Sequence, residues 1–158
     1  MEYLLTRDEV DADRVVAIGN DMALMTAALH DGVTHVVCQP GLFVDTLKLA
    51  ARTGDYPLEE INEYLNLYPE RKQAVEDTLG YFDLRGFAPR VNARTLLMAG
   101  APGSSLDAEG LSAVSGAIQG DVSVYESQSS SYRDGVYQEE WLARGFGFAE
   151  AILPEHWR

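Results

Sequence analysis

Short continuous apolar runs, set between stretches of helical periodicity, constrain this chain more than any other feature. Val15-Val16-Ala17-Ile18, Val33-Thr34-His35-Val36-Val37-Cys38 and Thr95-Leu96-Leu97-Met98-Ala99 lack the polar alternation of a half-solvated sheet. Runs of this kind belong to strands covered by helices on both faces. The periodicity predicts strands at about 14–19, 33–38, 94–100 and 121–126, helices at about 22–31, 106–118 and 137–152, and a helical stretch from about 42 to 85. Strands alternating with helices build parallel βαβ units. The expected fold class is therefore α/β: one three-layer domain over residues 1–158, with a mainly parallel sheet of about four strands and a helical insertion at about 42–88.

Within the insertion, Tyr56-Pro57-Leu58-Glu59-Glu60 and Tyr68-Pro69-Glu70-Arg71 each place proline at a first helical position with acids in the first turn. Two or three short helices are expected there, where such folds build a lid or an oligomer surface. The last helix is expected to pack Trp141, Phe146 and Phe148 on the sheet, leaving Gln138, Glu139 and Glu140 in water.

Composition narrows the function. With 46% hydrophobic and 23% charged residues, the chain buries a core and is not disordered. Its 25 acids against 12 bases give a net charge of −13, which repels a phosphate backbone. Nucleic acid is not an expected partner. No apolar run reaches the roughly 20 residues needed to cross a bilayer, and Met1-Glu2-Tyr3-Leu4-Leu5-Thr6-Arg7 has neither a basic nor a long apolar leader region. A cytoplasmic protein with no membrane partner is expected. The single cysteine, Cys38, cannot form an internal disulfide and reads as a small buried hydrophobe. No His/Cys cluster suggests a metal, Glu59, Glu60 and Glu63 read as a solvated helix face, and no cofactor is expected.

Two strand-to-helix junctions are candidate sites. Val15-Val16-Ala17-Ile18-Gly19-Asn20-Asp21-Met22-Ala23-Leu24 reads as a buried strand, a sharp turn and a helix, the layout of a nucleophile elbow with Asp21 where Gly-x-Ser-x-Gly carries serine. A carboxylate can serve as a nucleophile, so the substitution alone leaves chemistry open. Gly100-Ala101-Pro102-Gly103-Ser104-Ser105 follows a strand and opens a helix, where backbone amides hold anions. It lacks the lysine of a phosphate loop. Ser104 or Ser105 is expected to cap the helix, with Asp107 and Glu109 as first-turn acids.

Taken with the elbow, Pro40-Gly41-Leu42-Phe43-Val44-Asp45, Tyr56-Pro57-Leu58-Glu59-Glu60-Ile61-Asn62-Glu63-Tyr64-Leu65, Thr78-Leu79-Gly80-Tyr81-Phe82-Asp83 and Ala88-Pro89-Arg90-Val91-Asn92-Ala93-Arg94 resemble the acetyl xylan esterase and cephalosporin C deacetylase family of α/β-hydrolases. The resemblance covers nearly the whole chain but only the C-terminal half of the family's domain. It implies a Ser, Asp, His triad, and none of the three is retained. The nucleophile position falls on Asp21, the acid position on Gly103, and the base position, after the last strand in Val124-Tyr125-Glu126-Ser127-Gln128-Ser129-Ser130, on Ser130.

A triad works as a unit, so losing all three members removes the mechanism. If Asp21 attacked directly it would still need a base, and none of His30, His35 and His156 is placed to serve; each reads as a surface or packing residue. The resemblance also implies that the elbow strand pairs with a strand of an N-terminal half this chain does not carry, so Val15–Ile18 would be a bare sheet edge. The expected partner is a second copy, giving a homodimer, or a separate chain like that half. Tyr56, Tyr64, Tyr68, Tyr81, Phe82 and Phe87 suit either an interface or core packing. The expectation is a degenerate, non-catalytic half domain acting through assembly or through binding a small acyl or carbohydrate ligand. The alternative is an acetyl ester hydrolase rebuilt around Asp21 or completed by a partner chain.

Overall fold

In the computed structural model, which describes residues 2–100 and 106–157, four parallel strands lie side by side in chain order. They are β1 (Val16–Asn20), β2 (His35–Gln39), β3 (Arg94–Ala99) and β4 (Val122–Glu126). The register pairs Val16 with His35, His35 with Arg94 and Thr95 with Val122. A short α1 (Glu2–Leu5) precedes the sheet, and α2 (Asp21–Leu29) carries the chain from β1 to β2. Between β2 and β3 come α3 (Thr46–Ala50), α4 (Leu58–Leu67), α5 (Lys72–Gly80) and α6 (Leu84–Phe87), with tight 3-10 turns at Pro69–Arg71 and Ala88–Arg90. The chain then continues through α7 (Ala108–Ala117) and α8 (Ser131–Phe146).

The alternation of side chains along the central strands creates two cores. Val36, Cys38 and Leu97 point to one face, where they meet Leu24, Leu84, Val91 and Val114 from α2, α6 and α7 and the loops beside them. Val37, Leu96 and Met98 point to the other face and meet Trp141 and Leu142 of α8. Each fully buried aliphatic side chain stabilises the fold by about 1.5–3 kcal/mol relative to exposure. Both faces of β2 and β3 are thus covered, which explains why those strands read as unbroken apolar runs.

The insertion is fastened at its base more than along its length. A small cluster of Leu49, Ala50 and Leu58 holds α3 to α4, but α5 buries no residue. The amide of Leu84 donates to the carbonyl of Phe43 at 2.7 Å, and Arg85 bridges Asp83 and Asp45 at 2.6 Å each. Tyr56, Tyr64, Tyr68, Tyr81 and Phe82 are exposed, while Phe87 packs against the sheet core.

Three local expectations need correction. The last helix starts at Ser131 rather than near 137, because Ser130 caps it, accepting from the Arg133 amide at 3.3 Å. It stops at Phe146, where Gly147 takes the left-handed conformation (φ 73°) that glycine adopts without strain. Phe148 is therefore beyond the helix and exposed, and Gln138 and Glu139 are half-buried rather than in water. The cap of α7 is Asp107, which accepts from the Gly110 amide at 2.9 Å; Ser104 and Ser105 lie outside the described residues. Pro57 stands at the cap of α4, one position ahead of its first turn. Among the described residues, no helix is long and apolar enough to cross a membrane.

Candidate functional site

The chemistry expected of the elbow depends on where the side chain of Asp21 goes. A serine-type elbow holds its nucleophile in a strained turn that lifts the reactive oxygen above the sheet. Here Asp21 is the first residue of α2, and among the described non-glycine residues left-handed backbone occurs at Asp45 and Ser129, not at Asp21. The residue is 1% exposed. One oxygen, Oδ1, accepts from the Gly41 amide at 3.1 Å, and the other, Oδ2, from the Leu42 amide at 3.0 Å. Both oxygens thus clamp the loop after β2 to the start of α2, the charge-assisted arrangement in which a buried carboxylate is stable.

The next amide along is also occupied. In enzymes of this layout the backbone N–H after the nucleophile helps to hold the oxyanion. Here that N–H belongs to Met22, and it donates to Oδ1 of Asn20 at 3.2 Å, the ordinary bond of a helix N-cap. Cys38, on the neighbouring strand, is fully buried and donates from Sγ to the Asn20 carbonyl at 3.4 Å. Burial pushes its thiol well above the usual cysteine range, and the nearby charge of Asp21 pushes the same way. That environment keeps the sulfur protonated and unreactive.

The loop after β4 is organised by Asp134 on the first turn of α8. Its carboxylate accepts from Ser127 Oγ at 2.6 Å, Tyr125 Oη at 3.1 Å, and the amides of Gln128 and Ser130 at 2.9 and 3.2 Å. Burial pushes the pKa of this carboxyl up, but these donors outweigh that and hold it below its usual range. It is an anchored anion and a weak base. Ser130 is engaged twice, as helix cap and as donor to Asp134. Gly103 lies outside the described residues.

Among the described residues, no histidine hydrogen-bonds to Asp21 or Ser130. His30 and His156 are exposed, on the far end of α2 and in the C-terminal turn Glu155–Trp157. His35 is buried on β2 against Trp141 and Phe146, with Nδ1 at 2.9 Å from Thr34 Oγ1. A crevice of about 650 Å³ opens at the carboxyl ends of β2 and β3, lined by Gln39, Met98, Ser127, Ser130, Gln138 and Trp157 among others. Ligands of open α/β sheets bind at this end. Ser130 reaches that crevice, and Asp21 is not among the residues that line it. Among the described residues, no group of three His, Cys, Asp or Glu side chains could hold a metal ion.

Sequence reasoning missed the amides of Gly41 and Leu42 and the hub at Asp134. Two signals were present. Asn20-Asp21 is a pair of cap-type residues at a strand–helix junction, and Ser130 followed four residues later by Asp134 marks a helix start that the polar run Ser127–Ser131 obscured.

A four-stranded parallel sheet with helices on both faces and an elbow after its first strand defines part of an α/β-hydrolase fold. The chain belongs to the acetyl xylan esterase family, whose model matches residues 1–104. No curated protein matches the sequence. Among solved structures, acetyl xylan esterase 1 from Thermoanaerobacterium sp. superposes with a TM-score of 0.67 at 24% identity, covering 92% of this chain and 50% of that one. Acetyl xylan esterase from Paenibacillus sp. gives 0.69 at 22% identity, covering 90% and 49%. The chain thus spans about half the length of these structures.

Proposed function

We propose that this chain is a non-hydrolytic member of the acetyl xylan esterase family, a half-length single domain in which the degenerate triad positions Asp21, Gly103 and Ser130 no longer perform chemistry. It acts in the cytoplasm through assembly and binding. The observation that carries the reading is the clamp: Asp21 is 1% exposed, and both its carboxylate oxygens accept from the Gly41 and Leu42 amides. A nucleophile must present a free lone pair to the substrate and have a base nearby to activate the hydrolysing water. Asp21 is buried away from any substrate, its hydrogen-bond partners are backbone amides with no histidine among them, and the Met22 amide that would hold an oxyanion is occupied by Asn20. What remains for a small acyl or carbohydrate ligand is the crevice floored by Gln39 and Met98.

The test is p-nitrophenyl acetate hydrolysis by the wild-type chain and by Asp21→Asn, with folding of both checked by circular dichroism. Turnover no faster than buffer for the wild type is the expected result. Turnover abolished by Asp21→Asn in a folded variant would overturn it and favour an ester hydrolase rebuilt around Asp21.

A further inference from the structure

We infer that the segment after α8, residues 149–157, is a hinged strap carrying one wall of the crevice, and that it swings open when the Trp157 indole leaves its seat beside Gly135. Trp157 lines the crevice at the carboxyl ends of β2 and β3 together with Gln39, Met98 and Gln138. A moving wall goes beyond the binding reading above, whose crevice it shares.

The seat is written into the helix. Gly135 lies within α8, where glycine disfavours the helix more than any residue but proline. A Cβ built on it would overlap the indole of Trp157. Tyr132, one helical turn earlier, meets the same indole edge-on, with 5.9 Å between ring centroids. Gly116 in α7 is different: a Cβ there would meet nothing. At Gly135, then, α8 gives up helix propensity and gains room for one aromatic ring from a later segment.

The strap is pinned at two places and stands off the helix between them. From Phe148 to Pro154 the chain forms neither helix nor strand. At the near pin the Phe148 amide donates to the Ala143 carbonyl at 2.8 Å, and the left-handed Gly147 beside it gives the backbone the freedom of a hinge. At the far pin the Trp157 amide donates to the Pro154 carbonyl at 2.9 Å, closing the turn that presents the indole. Between the pins lies a gap of about 500 Å³, lined by Ala143 and Arg144 on the helix side and by Ala149, Ala151 and Leu153 on the strap side, among others. Ile152, in the middle of the strap, is 72% exposed. Segments with so little packed beneath them open at low free energy, and lids are drawn from them. The indole is both the far pin and part of the crevice wall, so undocking removes that wall and bares Met98, which is buried when the strap is closed.

The experiment is thiol labelling with an aromatic disulfide reagent on the full chain carrying Met98→Cys. The native Cys38 is fully buried and burial keeps its thiol protonated, so it labels only when the whole fold opens. Its protection is the internal reference and reports that each variant is folded. When opening and closing are fast relative to labelling, the rate follows the population of the open form. Trp157→Ala removes a half-buried indole and should raise the rate at the introduced thiol at least about tenfold, with the Cys38 rate unchanged. Gly135→Ala should raise it too, whereas Gly116→Ala should not, although alanine favours the helix in both places. Equal rates in Trp157→Ala and its parent would overturn the inference. So would a rise shared by both thiols, which is a loosening of the whole fold, or a Gly135→Ala chain no faster than Gly116→Ala, which would show that Gly135 is no seat. Ester hydrolysis enters none of these rates, so this reading and the non-hydrolytic one fail separately.

Discussion

Replacing Asp21 by alanine should damage the fold far more than any chemistry. The carboxylate is buried and accepts two backbone amide bonds at 3.1 and 3.0 Å. Hydrogen bonds to a charged group contribute about 1.5–3 kcal/mol each, and a buried donor left without an acceptor costs about 1–3 kcal/mol. Alanine loses both bonds and strands the Gly41 and Leu42 amides; because the Leu42 bond is only partly buried, water recovers some of that loss. The expected cost is roughly 3–4 kcal/mol. For a chain of this length that lowers Tm by roughly 6–16 °C. Asparagine keeps one acceptor oxygen but turns an NH2 group toward the second amide, so Asp21→Asn should cost about half as much, roughly 2 kcal/mol. Urea unfolding followed by the fluorescence of Trp141, buried under α8, reads both variants. With m near ~2 kcal/mol/M the alanine midpoint should fall by about 1.5–2 M at unchanged m. An alanine variant within about 0.5 kcal/mol of wild type, or one more stable than the asparagine variant, would refute the clamp.

Two further outcomes are expected. The pKa of His35 is lowered by burial and then by the charge of Arg94, so as pH falls through about 6.5 the unfolded chain takes up this proton before the folded one; the stability that neutral His35 contributes is full above that pH and declines below it. The urea midpoint should drop between pH 7 and 5.5, and His35→Gln should flatten that drop; an unchanged profile would rule out His35 as its source. Asp134→Ala frees the Ser127 and Tyr125 hydroxyls and the Gln128 and Ser130 amides, and with solvent access discounted should cost about 1–2 kcal/mol. Hydrogen exchange at the Gln128 and Ser130 amides should accelerate, and protection equal to wild type would contradict the hub.

The sheet was legible because its physics is local. Unbroken runs such as Val33–Cys38 require cover on both faces, and that cover is what the two cores provide. The start of α8 was illegible for the opposite reason: Ser127, Gln128 and Ser130 read as a loop until Asp134, one helical turn on, is seen to gather them. The fate of Asp21 could not be read from the elbow alone, because its partners are backbone amides 20 and 21 residues away. Backbone donors carry no sequence signature. The aromatics of the insertion were equally ambiguous, since a tyrosine on a helix is compatible with core or surface until the neighbouring layer is known.

The bond between Arg85 and Asp45 joins residues 40 positions apart, with the Leu84 amide and the Phe43 carbonyl beside it. The helical excursion therefore leaves and rejoins the sheet at one buckle, with a looser surface tie where Lys48 and Arg52 reach Asp107 at 3.6 and 3.9 Å. Loop-closure entropy grows only with the logarithm of length, so replacing those residues by a quarter as many would change the closure term by about 1.2 kcal/mol. Evolution can lengthen, shorten or exchange everything beyond the buckle at little thermodynamic consequence for the strands. The excursion is in effect an interchangeable cartridge, and the part of the molecule freest to acquire new specificity is the part its core depends on least.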